Sequence, residues 1–409
     1  MKKDNEQNRR LLLFGYLVSS LGDKIYLVSL TLFLIKEFKK PDILAQIIAI
    51  SSLPQLFFGF FAGQIVDKLN KKKIIVLSDL LRGILMLSIV FFLKTEHLHV
   101  SALAIITFFI SGIGVFFDPA IASFIPLICT GENELKKINS ALYAFINIST
   151  VLGPVLGAFL FGTFSFKAVV ILNAISYALS GLSEILIKDL EPPKKCKPSD
   201  IDLSEELSQG MALIFRHRAL KRVVFLSLVT NLFFIPFFEL FLPIIVTLEL
   251  HYNDLFFGSI STARAIGTIT GSLLIYKWVI KHLEKFYAKT LFIQGLVVFT
   301  TGVTVFFQDQ TMYVTLCLYI TIFIAGNIGA LSNIPLNVLI QQNAPKDRVA
   351  TTFSTMSTLF RVLAPVTLFF FGRLTKYISS STLSVVSGLI VMFITVLIFF
   401  LPSAYLQRE

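Results

Sequence analysis

Apolar runs of about 20 residues recur from one end of this 409-residue chain to the other, and they restrict its fold more than any motif does. A helix rising about 1.5 Å per residue crosses a hydrocarbon core of about 30 Å in about 20 residues. In lipid every backbone N–H and C=O needs an internal partner, so runs of this length are expected to be helices. Breaks at Pro, Gly and charge clusters delimit twelve of them: 11–36, 43–66, 74–93, 100–127, 138–162, 167–187, 222–248, 254–278, 288–307, 312–341, 350–375 and 380–401. With 55% hydrophobic and only 15% charged residues, the chain also lies outside the soluble range of about 45–50% and about 25%. The expected fold class is an all-α polytopic membrane protein with twelve transmembrane helices.

The same reading excludes several functions. The opening MKKDNEQNRR is polar and basic, and the run after it is too long for a signal-peptide core, so it is read as a retained first helix. Cys129, Cys196 and Cys317 are scattered and odd in number, which argues against a disulfide framework and a metal site. No P-loop and no H-E-x-x-H pattern occur, so the chain is expected to be no enzyme and to need no cofactor. The net charge of +11 falls in short loops, not on one basic face, so nucleic acid is not an expected partner. Most of the 36 Lys and Arg fall on one side of the twelve-span arrangement, the side of the N-terminus. By the positive-inside rule both termini are expected in the cytoplasm, with a bacterial inner membrane as the expected location.

One long hydrophilic stretch divides the chain. Residues 1–187 and 222–409 would each hold six helices, and 188–221 would be a cytoplasmic linker. Its segment SEELSQGMALIFRH has helical apolar spacing and is expected to lie along the membrane surface. The halves resemble each other. ISTVLGPVLG (148–157) aligns with STLFRVLAPV (357–366) when Pro154 is laid on Pro365, and Lys137 then falls on Arg348. ISGIG (110–114) and IAGNIG (324–329) match at similar offsets, so the halves read as pseudo-repeats.

Charges inside the spans are the candidate functional residues, because an ionisable group in hydrocarbon marks a pathway or a pair. Asp23 and Lys24 interrupt the first run at SSLGDKIYLV. Asp23 lies ~18 Å along that helix, near the depth where secondary transporters bind substrate. A lone carboxylate there is expected to attract cations and exchange protons, though a structural pair that never titrates is the competing reading. Adjacent helix residues point about 100° apart, so Lys24 need not be its partner. Asp79 and Arg82 stand i, i+3 on the third segment, where they form either a local ion pair or, with Asp118 and Asp67, a cytoplasmic gate cluster. Glu184, near the inner end of the sixth segment, reads as structural. Arg264 and Arg361 fall near mid-depth in the second half, and Glu239 in the outer half of the seventh segment, within reach of pairing with Arg264. Gly153, Pro154 and Gly157 remove one backbone donor and two side chains from mid-helix, which predicts a kinked and closely packed fifth segment. Asn231, Asn327 and Asn333 either bond a substrate or bond neighbouring helices. Tyr16, Tyr26, Phe116, Phe117, Phe233, Phe234, Phe237 and Phe238 are candidates for a greasy cavity or for plain core.

GQIVDKLNKKKII, between the second and third segments, resembles the loop signature of the major facilitator superfamily. Gly63, Asp67, Lys68, Lys71 and Lys72 match it, and Asn70, a residue that tolerates the same positive-φ turn conformation, stands where a second Gly is usual. Ser149-x-x-x-Gly153-Pro154-x-x-Gly157-Ala158 is similar to the motif of that superfamily's antiporters. SLGD, the loop signature and FFDPA together resemble the drug-efflux branch that includes macrolide-efflux proteins, with siderophore exporters and lysophospholipid transporters as relatives of similar layout. The resemblance implies the major facilitator fold and a monomeric secondary transporter working by alternating access. Its residue-level content follows the motifs. Gly63 would let the second helix approach a neighbour, Asp67 would latch the cytoplasmic side, and the kinked fifth helix would mark an antiporter. The proton-driven drug antiporters often carry an arginine in the fourth span, whereas segment 100–127 holds only Asp118. Proton-coupled efflux of lipophilic, cationic drugs or small metabolites is the leading functional expectation. Export of one specific metabolite such as a siderophore, movement of lysophospholipid, and a non-transporting sensor on the same fold are the alternatives.

Overall fold

Each apolar segment becomes one helix, and twelve helices are present among the described residues of the computed structural model, 2–94, 100–129, 132–188, 218–276, 283–343 and 349–400. In chain order they are α1 (Lys2–Phe38), α2 (Pro41–Lys68), α3 (Lys71–Lys94), α4 (Val100–Phe124), α5 (Glu132–Thr163) and α6 (Phe166–Ile185). The second set opens with α7 (Arg218–Pro236), which runs on through Phe237–Phe241, Leu242–Ile244 and Ile245–Glu249. It continues with α8 (Asp254–Tyr276), α9 (Leu283–Thr304), α10 (Thr311–Asn343), α11 (Val349–Leu374) and α12 (Ser380–Phe400). Ten of these are long and apolar enough to cross a membrane by composition alone. The expected linker helix falls in 189–217, outside the described residues.

Helix α1 starts well before the apolar run. Arg10 pairs with Glu6 at 2.5 Å one turn back, and Arg9 reaches Glu134 at 2.7 Å. Asn8 exchanges hydrogen bonds with the backbone of Lys188 at 3.3 and 3.0 Å. Hydropathy marks where lipid begins, and these polar contacts carry the helix beyond it.

Contacts group the chain into two compact units. The first is built from α1 to α6, and the second from α7 to α12 with the short segment 39–45. Within the first, α1 packs on α5 and α6 while α3 packs on α4 and α6. Within the second, α7 packs on α11 and α12 while α9 packs on α10 and α12. These four pairings recur between the units, as expected of a duplicated chain, while the second unit also packs α8 closely on α10.

Small residues set the α1–α5 crossing. A methyl group on Gly157 would come within 2.6 Å of the Ile25 carbonyl oxygen, and one on Gly153 would collide with Lys24 Cβ. Ser29 Oγ donates to the Gly157 carbonyl at 2.9 Å, and Ser20 Oγ donates to Ser149 Oγ at 3.0 Å. Small side chains and cross-helix hydroxyls substitute for the hydrophobic effect, which supplies little between helices in lipid. In α7, Pro236 and Pro243 remove backbone donors, and the turns Phe237–Phe241 and Ile245–Glu249 are π-helical. Glu249 at its end receives the N–H of Ser380 at 2.6 Å and that of Ser381 at 3.2 Å, capping α12.

Candidate functional site

Asp23 lies near the middle of α1 on the wall of a cavity of about 330 Å³ within the first unit. From α1, Tyr16, Ser19, Ser20 and Lys24 line it with Asp23; α2 contributes Gln55 and α3 contributes Arg82. Ser111, Gly114, Phe117 and Asp118 of α4 close the far side. Alternation along α1 explains the first set: residues 16, 19, 20, 23 and 24 follow the i, i+3, i+4 face of a helix.

Asp23 accepts a hydrogen bond from the hydroxyl of Tyr177, which α6 brings in from behind. Arg82 is 4% exposed. Its guanidinium lies over the Phe117 ring, 4.6 Å from the centroid, and 5.6 Å from that of Tyr177. Planar guanidinium stacks on aromatic faces as an ammonium does not, so these rings fix an arginine specifically. Its Nη1 sits 3.7 Å from Asp79 Oδ1, so the i, i+3 spacing produces a buried local pair. Asp118 lies on the cavity wall, together with Asp23. The cavity therefore collects two carboxylates and two cations among hydroxyls and an amide.

The second unit has its own cavity, of about 280 Å³. Arg264 of α8 and Glu239 of α7 both line it, with Asn231, Gln294, Asn333, Phe234, Phe238 and Phe360. The Arg264 guanidinium lies 3.7 Å from the centroid of Phe238, a residue carried by the π-helical turn of α7. Asn327 instead bonds helices: its Oδ1 accepts from Thr270 of α8 at 3.1 Å and its Nδ2 donates to Phe323 O at 3.1 Å.

The loop signature is structural in a different way from the expectation. Asn70 does not adopt the positive φ that would substitute for glycine; among the described residues only Lys39, Ser165 and His251 do so outside glycine. Its Oδ1 accepts the Lys73 N–H at 2.9 Å, making it an N-cap of α3. Lys72 Nζ donates to the Ile185 carbonyl at 3.1 Å, tying α3 to the C-terminal end of α6, where a cation suits the helix dipole. Lys71 is buried. A methyl on Gly63 would meet no described atom within 4 Å. The side chains of Asp67, Lys68 and Arg361 lie outside those described.

Sequence reasoning missed Tyr177, Gln55 and Gln294. A single tyrosine or glutamine in an apolar helix gives no signal until packing shows what it faces. No group of three or more His, Cys, Asp or Glu that could hold a metal is present among the described residues.

Twelve helices among the described residues, ten of them long and apolar enough to cross a membrane, in two units that share four helix pairings and each hold a charged cavity, define a polytopic membrane transporter fold. The chain belongs to the Major Facilitator Superfamily, whose family profile matches residues 12–366. Over 180 residues it is 33% identical to BacE of Bacillus subtilis strain 168, a protein named as a bacilysin exporter, covering 44% of this chain and 43% of that one. The chain thus spans less than half the length of that relative. It is 25% identical over 311 residues to the MFS-type transporter YkuC of the same organism, covering 72% of this chain and 70% of YkuC. Macrolide efflux protein A of Streptococcus pyogenes is 21% identical over 265 residues, 64% of each chain. Among solved structures, the nucleoside transporter NupG superposes with a TM-score of 0.76 at 12% identity, covering 97% of this chain and all of that one. A bacterial homologue of the iron transporter ferroportin in an inward-facing state gives 0.74 at 15%, covering 96% and 98%.

Proposed function

We propose that the protein is a proton-coupled exporter of a polar small metabolite that carries both a basic and an acidic group. One observation carries this reading: Lys24 and Arg82 stand in the same cavity as Asp23 and Asp118. A site for lipophilic cations needs a carboxylate among apolar walls, and two fixed cations beside it would oppose such a ligand. Here a substrate amine would engage Asp23 or Asp118, and a carboxylate would engage Arg82 or Lys24. The cavity of the second unit repeats the pairing of signs with Glu239 and Arg264. Relatives named for the export of bacilysin and of macrolides support the outward direction.

In this account Asp23 holds either a proton or the substrate amine, never both, and alternating access exchanges one for the other. The position of Asp23 on the cavity wall, with one oxygen accepting from Tyr177, supports this reading. Lysophospholipid movement is less well supported, because a lipid tail has little apolar wall to occupy beside these charges. The aromatic side chains Phe234, Phe238 and Phe360 favour the macrolide-type reading as the second choice, since they offer a bulky apolar ligand a surface.

The test is a thermal-shift screen of purified protein at acid and alkaline pH. The panel holds dipeptides and other amphoteric metabolites, lipophilic cations, macrolides, siderophores and lysophospholipids. Stabilisation by an amphoteric compound that grows with pH and disappears in Asp23→Asn is expected. Stabilisation by lipophilic cations alone would overturn the substrate class.

A further inference from the structure

Two carboxylates that do not line the cavity are completely buried next to Arg82. Asp79 of α3 and Glu184 of α6 are each 0% exposed. Both oxygens of Asp79, Oε2 of Glu184 and Nε of Arg82 have no hydrogen-bond partner. Buried polar atoms are nearly always satisfied, so four orphans in one place ask for a ligand. Small residues let the helices pack closely around them. Asp79 Cβ lies 3.8 Å from the point a Gly181 methyl would occupy, one turn before Glu184. Glu184 Oε1 lies 3.3 Å from the matching point on Gly15 of α1. It also lies 3.3 Å from Ser180 Oγ, which donates to it.

The charged and titratable surroundings come from every packed helix. Helix α3 offers Arg82, α6 offers Tyr177 and the hydroxyl of Ser180, and α1 offers Asp23. From α4, Asp118 faces Arg82. Arg82 is the one cation that both buried carboxylates face among the described residues. Two like charges in a dry site served by one guanidinium leave an uncompensated charge, which a low-dielectric site strongly disfavours. Removing it requires one proton.

We propose that Asp79 and Glu184 hold one proton between them, a second proton site of the first unit, and that Arg82 divides its charge between this pair and Asp23. A guanidinium drawn towards Asp23 leaves the pair in need of a second proton, and one drawn towards the pair frees Asp23 for a substrate amine. Arg82 is the cation that the site and the cavity share. The site stands on burial and on the orphaned atoms, so it does not depend on the transport reading.

Infrared spectroscopy of the full chain in proteoliposomes, without any transport substrate, tests it directly. The wild type is expected to show a protonated-carboxyl carbonyl band at neutral pH that survives in Asp23→Asn. Glu184→Gln and Asp79→Asn, each made in the Asp23→Asn background so that no proton on Asp23 contributes, should each abolish it, because either change leaves one carboxylate for one guanidinium and removes the need for the proton. Ser180→Ala should keep the band and shift its frequency, since it loses the hydroxyl beside Glu184. Thermal melting of each variant establishes that it is folded before its spectrum is compared. No band in the wild type, or a band that persists in the Asp23→Asn/Asp79→Asn double variant, overturns the shared proton. A band lost in Asp23→Asn places the proton in the cavity instead, and overturns it equally.

Discussion

Tyr177 donates its hydroxyl to Asp23, so the carboxylate that faces the cavity from α1 is fixed from behind by α6. The relationship makes α6 part of the site although, among the described residues, α1 to α5 line the cavity. Hydrogen bonds to charged groups contribute about 1.5–3 kcal/mol. Tyr177→Phe and Asp23→Asn should therefore be non-additive in thermal melting, with a coupling of about 1–3 kcal/mol in a double-mutant cycle. Additive effects would show that the bond carries no energy.

The two glycine positions make opposite predictions. Gly157→Ala forces a methyl against the Ile25 backbone and should destabilise the first unit by about 1–3 kcal/mol. Gly63→Ala meets open space, and should melt within about 0.5 kcal/mol of wild type or slightly above it. A calorimetric or fluorescence melt of the two variants side by side decides the matter.

Glu249 serves the second unit as an N-cap supplied from another helix. Glu249→Ala leaves the Ser380 and Ser381 N–H groups of α12 without their acceptor. The expected loss is about 1–2 kcal/mol, and Glu249→Gln, which retains an acceptor but no charge, should recover part of it. Equal melting of all three proteins would contradict the capping role.

Cys129 follows the last turn after α4, beyond the spanning segment, and burial pushes its thiol above the ordinary range while Arg9 pulls it down. Only the thiolate reacts, so alkylation at neutral pH should be slow and should rise as pH rises through the elevated value. Arg9→Gln removes the opposing cation and should slow the reaction further. The rate of maleimide labelling against pH, followed by mass spectrometry, reads both effects; a faster reaction in Arg9→Gln would refute the assignment.

Asp23 was legible because a charge in a run of Leu, Phe and Val has no packing reason to be there. The helices were legible for the related reason that lipid leaves the backbone no alternative. Asp79 and Arg82 showed their pairing in their spacing, but nothing in the sequence placed Asp118 in the cavity with Asp23. That depends on which face α4 presents. Glu184 read as structural from its position near a helix end, and only the fold reveals that it shares a dry site with Asp79. Tyr177 was invisible because one tyrosine among 11 has no marker until its hydroxyl finds a partner. Asn70 misled for a physical reason: asparagine suits both a left-handed turn and an N-cap, and the helix that follows decides between them.

The central claim is that Asp23 exchanges a proton for substrate, and proton release on binding measures that exchange most directly. Purified protein in weak buffer at a mildly acid pH would be mixed with saturating ligand from the thermal-shift screen while a pH indicator is followed. The account predicts proton release from the wild type and none from Asp23→Asn, at ligand concentrations that saturate each protein. Ligand binding without release in the wild type, or release that is unchanged in Asp23→Asn, would contradict it.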